Sequence, residues 1–223
     1  MKNPLARWVR PAAALVVASG LAAPGPARAL PLISEVFYDA VGSDDGLGFV
    51  ELHGSPGESL DGLVLEGVNG ADGAVGPSIA LSGAIGPDGL FVVADANSSG
   101  VTLVPGADLL ANFDFQNGPD SVVLRSASSV LDALGYGVFA PGEVFGGEGS
   151  PAPDAPAGSS LARRFANVDT GDNAADFVVL AVPTPGSAPF HQVPEPTLVA
   201  LLGSAGLGLG ARRARPGRRA RGR

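Results

Sequence analysis

The chain has 223 residues, no cysteine, two histidines and a formal charge of −8. Without cysteine there are no disulfide staples, no thiol nucleophile and no thiolate zinc site; His53 and His191 alone are too few for a multi-histidine metal centre. Once targeting segments are set aside, the length suits one domain of ordinary size.

The net charge hides an asymmetry. Lys2, Arg7, Arg10 and Arg28 lie before residue 30, and seven arginines lie between Arg212 and Arg223. Only Arg125, Arg163 and Arg164 remain to face the 22 carboxylates spread from Glu35 to Glu195, so this body carries close to −19. Such a charge repels nucleic acid and anionic lipid surfaces, and it is compatible with divalent cations or simply with solubility.

Taken in order, the chain opens with a signal-peptide pattern. Lys2, Arg7 and Arg10 make a positive start, Pro11 to Ala23 an apolar stretch, and Ala27-Arg28-Ala29 a small-x-small cleavage site. Residues 1–29 are therefore expected to be a signal-peptide helix, and the mature protein to begin at Leu30.

The body, residues 30–187, reads as short strands divided by turns. Strands are expected at Leu32–Tyr38, Leu47–Leu52 and Leu60–Glu66, with a loop rich in turn residues between Asp39 and Gly46. Gly67 to Pro77 reads as a glycine-rich excursion and Ser78–Ser82 as a short strand. Leu90–Ala94 is a continuous apolar run, typical of a strand buried on both faces. Val101–Val104 and Leu109–Phe115 are weaker strand patterns. Ser121–Arg125 and Val130–Val138 read as a hairpin with Ala127, Ser128 and Ser129 at its tip. Pro141 to Ser160 is Pro/Gly-rich and is expected to be a long surface loop. The last strands are expected at Leu161–Phe165 and Phe177–Val182. No stretch has a helical period, and turn signals at this spacing predict an all-β sandwich or barrel.

After a linker at 188–193, the chain ends in three parts. Pro194-Glu195-Pro196 is followed by an uncharged run, 197–211, and a basic tail, 212–223. Apolar residues followed at once by arginines form a stop-transfer pattern. The run is shorter than the ~20 residues of a stable span, so it reads as a short transmembrane helix that holds the chain temporarily. Gly206 and Gly210 form a Gly-x-x-x-Gly, which permits close helix contact.

Two resemblances follow from these residues. The C-terminal device, about the last 30 residues, resembles the PEP-CTERM sorting signal of exopolysaccharide-producing Gram-negative bacteria. The resemblance implies recognition near Pro194, Glu195 and Pro196 by an exosortase, a membrane transpeptidase that removes the tail. It also implies a precursor held in the inner membrane, then delivery to the cell surface or exopolysaccharide matrix. The body is similar to the bacterial lamin-tail domain, an immunoglobulin-like β-sandwich. The pieces that carry this likeness are Ile33-Ser34-Glu35-Val36-Phe37-Tyr38-Asp39, Phe49-Val50-Glu51-Leu52, Leu60 to Leu65, Gly89 to Val93, Asp120 to Leu124, Ser160 to Arg164, Asp169 to Phe177, and Pro183-Thr184-Pro185-Gly186. His53-Gly54 departs from the family, which often has asparagine there. That family is mainly structural and adhesive, so a non-catalytic exported protein is the expectation.

The residues leave other chemistry open. No Gly-x-Ser-x-Gly elbow supports a serine hydrolase. The many acids leave room for a hydrolase working through carboxylates, though none is marked out as a pair. Calcium takes six to eight oxygens, often from one loop. Asp39, Asp44 and Asp45 share one loop; Asp169, Asp172 and Asp176, with Asn173, share another. Neither has EF-hand spacing. These side chains equally suit the capping of turns. Calcium-dependent carbohydrate binding is the corresponding alternative. Arg163 and Arg164 are expected to pair with acids near the last strands.

Overall fold

The computed structural model describes residues 30–188. The signal-peptide residues Ala27 and Ala29, the motif Pro194-Glu195-Pro196 and the apolar run 197–211 lie outside them. Among the described residues, no helix is long and apolar enough to cross a membrane.

The body is an all-β sandwich of two sheets. One sheet contains β1 (Leu32–Phe37), β2 (Phe49–His53), β5 (Leu90–Asp95), β6 (Leu109–Ala111), β9 (Ser160–Arg163) and β10 (Phe177–Leu180), in the order β10-β9-β1-β2-β5-β6. The other contains β3 (Val64–Asn69), β4 (Val75–Ala80), β7 (Asp120–Arg125) and β8 (Val130–Tyr136), in the order β4-β3-β7-β8. All pairings are antiparallel except β5 with β6. A single-turn helix, α1 (Asn173–Asp176), precedes β10.

The alternation of each strand builds the core. Ile33, Val36, Val50, Leu52 and Val93 from the first sheet meet Leu65, Val122, Leu124, Leu134 and Tyr136 from the second. Tyr38 stacks on Tyr136 with ring centroids 4.2 Å apart, and the Tyr136 hydroxyl donates to the Gln116 carbonyl at 2.8 Å. On the far face of the six-stranded sheet, Phe37, Phe49, Val92 and Ala94 form a second apolar patch with Ala40 and Val104. β5 is therefore buried on both faces, as its unbroken apolar run predicts.

Several boundaries differ from the sequence pattern. The third strand starts at Val64, not Leu60, because Gly62 turns the chain at φ 82° and Leu60 plugs the core ahead of it. The glycine-rich excursion shrinks to a turn, in which the Asn69 amide donates to the Ala74 carbonyl; its flanks extend β3 and begin β4. Val101–Val104 is not a strand: Val104 is buried on the outer patch while its neighbours hold to the 44–47 loop. Leu109–Phe115 pairs only as far as Ala111, after which Phe113 and Phe115 turn into the core. The 141–160 loop is surface chain for most of its length, yet it dips inward. Ala152 and Ala155 are buried, and the Ala152 amide bonds to the Gly135 carbonyl at 2.8 Å.

Candidate functional site

Three polar assemblies stand out. The first is a cleft of about 320 Å³ where the 43–48 loop meets the chain after β6. Asp44, Asp45, Asp95 and Asp114 line it with Asn112 and the rings of Phe113 and Phe115. Asp95 ends β5 and is buried. Its two oxygens accept from Gly46 N at 2.6 Å and Phe113 N at 3.0 Å, so it knots the cleft walls together. Asp44 accepts from Ala40 N at 2.6 Å, leaving its second oxygen for the cleft. Burial and the charges of Asp44 and Asp95 push the Asp114 carboxyl up. Among the described residues, no arginine or lysine lines this cleft. Asp39, expected beside Asp44 and Asp45, does not line the cleft. Burial and the carboxylates of Asp44 and Asp154 raise it.

The second assembly surrounds Arg163. Its side chain is completely buried. Nη2 donates to both Asp132 oxygens at 2.8 and 2.7 Å, Nη1 to Asp176 at 3.0 Å and Nε to the Ile33 carbonyl at 2.9 Å. The guanidinium carbon lies 4.6 Å from the centroid of the Phe177 ring. Asp169 stands 3.6 Å from Nη1. Asp132, Glu148 and Asp169 bring carboxylate oxygens within 4.8 Å of one another. Asp132 has no spare capacity for an ion: besides Arg163, its oxygens accept from Ile33 N and Ala133 N. Burial pushes Asp132 up, and Arg163 with the Ile33 amide pulls it back. Glu148 is raised to about 7 by burial, then by Asp132 and Asp169, and its Oε2 is buried without a hydrogen-bond partner.

The remaining acids of this loop perform local work. Asp172 caps α1, accepting from Ala174 N at 3.2 Å, and also from Ser150 N at 3.0 Å. Asp169 accepts from Gly171 N at 2.9 Å. Asp176 accepts from the Thr170 amide and hydroxyl. Asn173 bridges Gly135 N, Glu148 N and the Ala133 carbonyl. The loop thus closes one end of the sandwich: Asp169 and Asp176 converge on Arg163 Nη1, while Asp172 serves the α1 cap. Arg164 turns outward and donates to the Ala175 carbonyl at 3.0 Å.

The third assembly is a strap. Glu35 and Glu51 face each other across β1 and β2, and both are buried on the outer face beside Phe37 and Phe49. Glu35 accepts from Ser160 Oγ at 2.5 Å, Thr184 N at 2.8 Å and Thr184 Oγ1 at 2.6 Å. Glu51 accepts from Ser34 Oγ and Gly186 N, both at 2.7 Å. Burial raises Glu51 to about 7, and the Glu35 carboxylate adds to the rise. The residues Pro183 to Ser187 are thereby fixed across the sheet.

Asp95, Asp114, Asp132, Glu148, Glu35 and Glu51 were not singled out as site residues by sequence. The one usable signal was Arg163, a scarce cation in an acidic body, which had to find carboxylates. No protein-family model matches the chain, and comparisons with curated proteins and with solved structures find no match.

Proposed function

We propose that the protein is an exported, non-catalytic display module, an immunoglobulin-like sandwich of the lamin-tail type. In this reading the C-terminal signal sorts it and exosortase processes it near Pro194-Glu195-Pro196, for delivery to the cell surface or exopolysaccharide matrix. The observation that carries this reading is the strap. Two buried carboxylates hold Thr184 and Gly186 on the sheet directly before the linker and the sorting motif. While the precursor is held by its C-terminal segment, any pull on the body passes through that point. Charge-assisted hydrogen bonds there keep β10 and its neighbours from peeling away. The other buried charges likewise serve to join sheets and loops. Mass spectrometry of the protein from its native host tests the sorting: two cleavages are expected, after Ala29 and near Pro196. Recovery of a chain still ending at Arg223 overturns it.

The acidic cleft favours a second reading, calcium-dependent binding of a carbohydrate. Asp44, Asp45 and Asp114 present carboxylates to a cleft whose inner wall is the buried pair Phe113 and Phe115. Binding to purified exopolysaccharide, with calcium and with chelator, separates this reading from inert display.

A further inference from the structure

A groove of about 210 Å³ runs along the outer face of the six-stranded sheet, beside the strap. Its floor is Leu47 and Phe49, one wall is Leu103 and Pro105, and the other is Pro183 and Pro185. Among the described residues, no charged side chain lines it. Leu103 is 68 % exposed and Val182, next to the second wall, 73 %. In an acidic soluble body this apolar surface stands out.

The geometry points to one occupant, Phe190 of the same chain. The strap ends in a turn whose Ser187 amide donates to the Thr184 carbonyl at 2.9 Å. Pro185 fills its second position and Gly186 its third at φ 76°, which is a type II turn. A turn of this kind reverses the chain, so Ser187 and Ala188 leave it directed back toward the Pro183 wall. The described residues end at Ala188, and the next large apolar side chain is Phe190. It is also the single Phe, Tyr or Trp between 189 and 223. Phe190 lies three residues beyond Ser187, where the turn ends, a reach of up to about 10 Å back over the groove. A second copy of the chain is a poorer fit: a stable dimer buries about 800 Å² on each partner, and this groove takes one ring. An anionic lipid surface is repelled by the body's charge.

Seating Phe190 leaves three residues between it and Pro194, against the seven between Gly186 and Pro194. The sorting motif is then joined to the sandwich by a shorter tether. This consequence rests on the sorting reading; the docking itself does not.

The test uses the full chain carrying Trp8→Phe and Phe190→Trp, so that residue 190 holds the sole indole. We expect short-wavelength emission and acrylamide quenching several-fold below that of a free tryptophan amide. Leu103→Asp, at an exposed wall position, should restore solvent-like emission and quenching. Val138→Asp, 86 % exposed and outside the groove, should leave both unchanged. Solvent-like emission without any groove mutation overturns the proposal. So does a buried signal that survives Leu103→Asp, since detergent, lipid or another surface is then the occupant. Neither outcome bears on the cleavages that mass spectrometry reads.

Discussion

Arg163 and Asp132 pair through two hydrogen bonds of 2.8 and 2.7 Å, and with them β9 of one sheet is joined to β8 of the other. Both side chains are fully buried. Asp132 also accepts the Ile33 amide, and Arg163 donates to the Ile33 carbonyl, so β1 is held in the same knot. Removing one charge leaves the other buried and uncompensated, which costs about 3–5 kcal/mol. Arg163→Met and Asp132→Asn should each lower stability by that order in urea unfolding. The double variant Arg163→Met with Asp132→Asn should lose clearly less than the sum of the two. Additive losses would show that the two residues act separately.

Much of the fold was legible because the strands here follow simple alternation. The Ser121–Arg125 and Val130–Val138 hairpin and the buried Leu90–Ala94 strand need only local pattern. What was illegible depended on distant partners. Leu60 looks like a strand residue, yet it is a core plug set by Gly62. Val101–Val104 has strand composition but finds no partner strand. The site was harder still. Asp132 and Glu148 lie 31 and 15 positions from Arg163, and Glu35 meets Thr184 across 149, distances at which sequence spacing carries no information. Asp169, Asp172 and Asp176 were visible as a group, but their roles were not. Capping, turn closure and ion pairing share the same residue types as cation binding.

The pH dependence follows from Glu51 and Glu148, each raised to about 7 from an ordinary carboxylate value of 4.5. Between these values the folded protein binds more protons than the unfolded chain. Stability therefore falls as pH rises from about 4.5 to 7, and levels off above it. Glu51, buried beside Glu35, carries the larger share, on the order of 3 kcal/mol. Melting temperature should fall across this window. Glu51→Gln should flatten the slope, at the cost of about one hydrogen bond, because its amide nitrogen cannot accept. A slope unchanged in the Gln variant would remove Glu51 as its source.

Thr184 supplies Glu35 with two of its donors, one from the backbone and one from the hydroxyl. Thr184→Val keeps the shape and the amide but deletes the hydroxyl. A hydrogen bond to a charged group contributes about 1.5–3 kcal/mol, so a loss of that order is expected. Amide exchange should accelerate at residues 184–187 before it does in β7 or β8. Uniform acceleration across both sheets would mean that the strap is not a separately opening unit.

Gly135 on β8 is set by close approach. A Cβ there would meet the Phe145 ring and the Gly147 backbone, because the 141–152 loop lies directly on the strand. Gly135→Ala should cost about 1–3 kcal/mol through overpacking. It should also expose Ala152 and Phe145 to solvent. A neutral effect would mean that the loop lifts away at little cost, and proteolysis within 141–152 would then be fast.

Calcium separates the two functional readings. Asp44, Asp45 and Asp114 face one cleft with no cation lining it among the described residues, and burial, with repulsion from Asp44 and Asp95, already raises Asp114. An ion held there relieves that repulsion and stabilises only the folded state. At 100 times its dissociation constant, a ligand adds about 2.7 kcal/mol. On the second reading, calcium added after chelation should raise the melting temperature by several degrees, and magnesium should do less, because a cleft of side-chain carboxylates suits the larger, less rigid ion. Asp114→Asn should abolish the rise, whereas Asp172→Asn should keep it, since Asp172 serves the α1 cap instead. A melting temperature that ignores calcium after chelation would leave the cleft as solvated surface and return the protein to simple display.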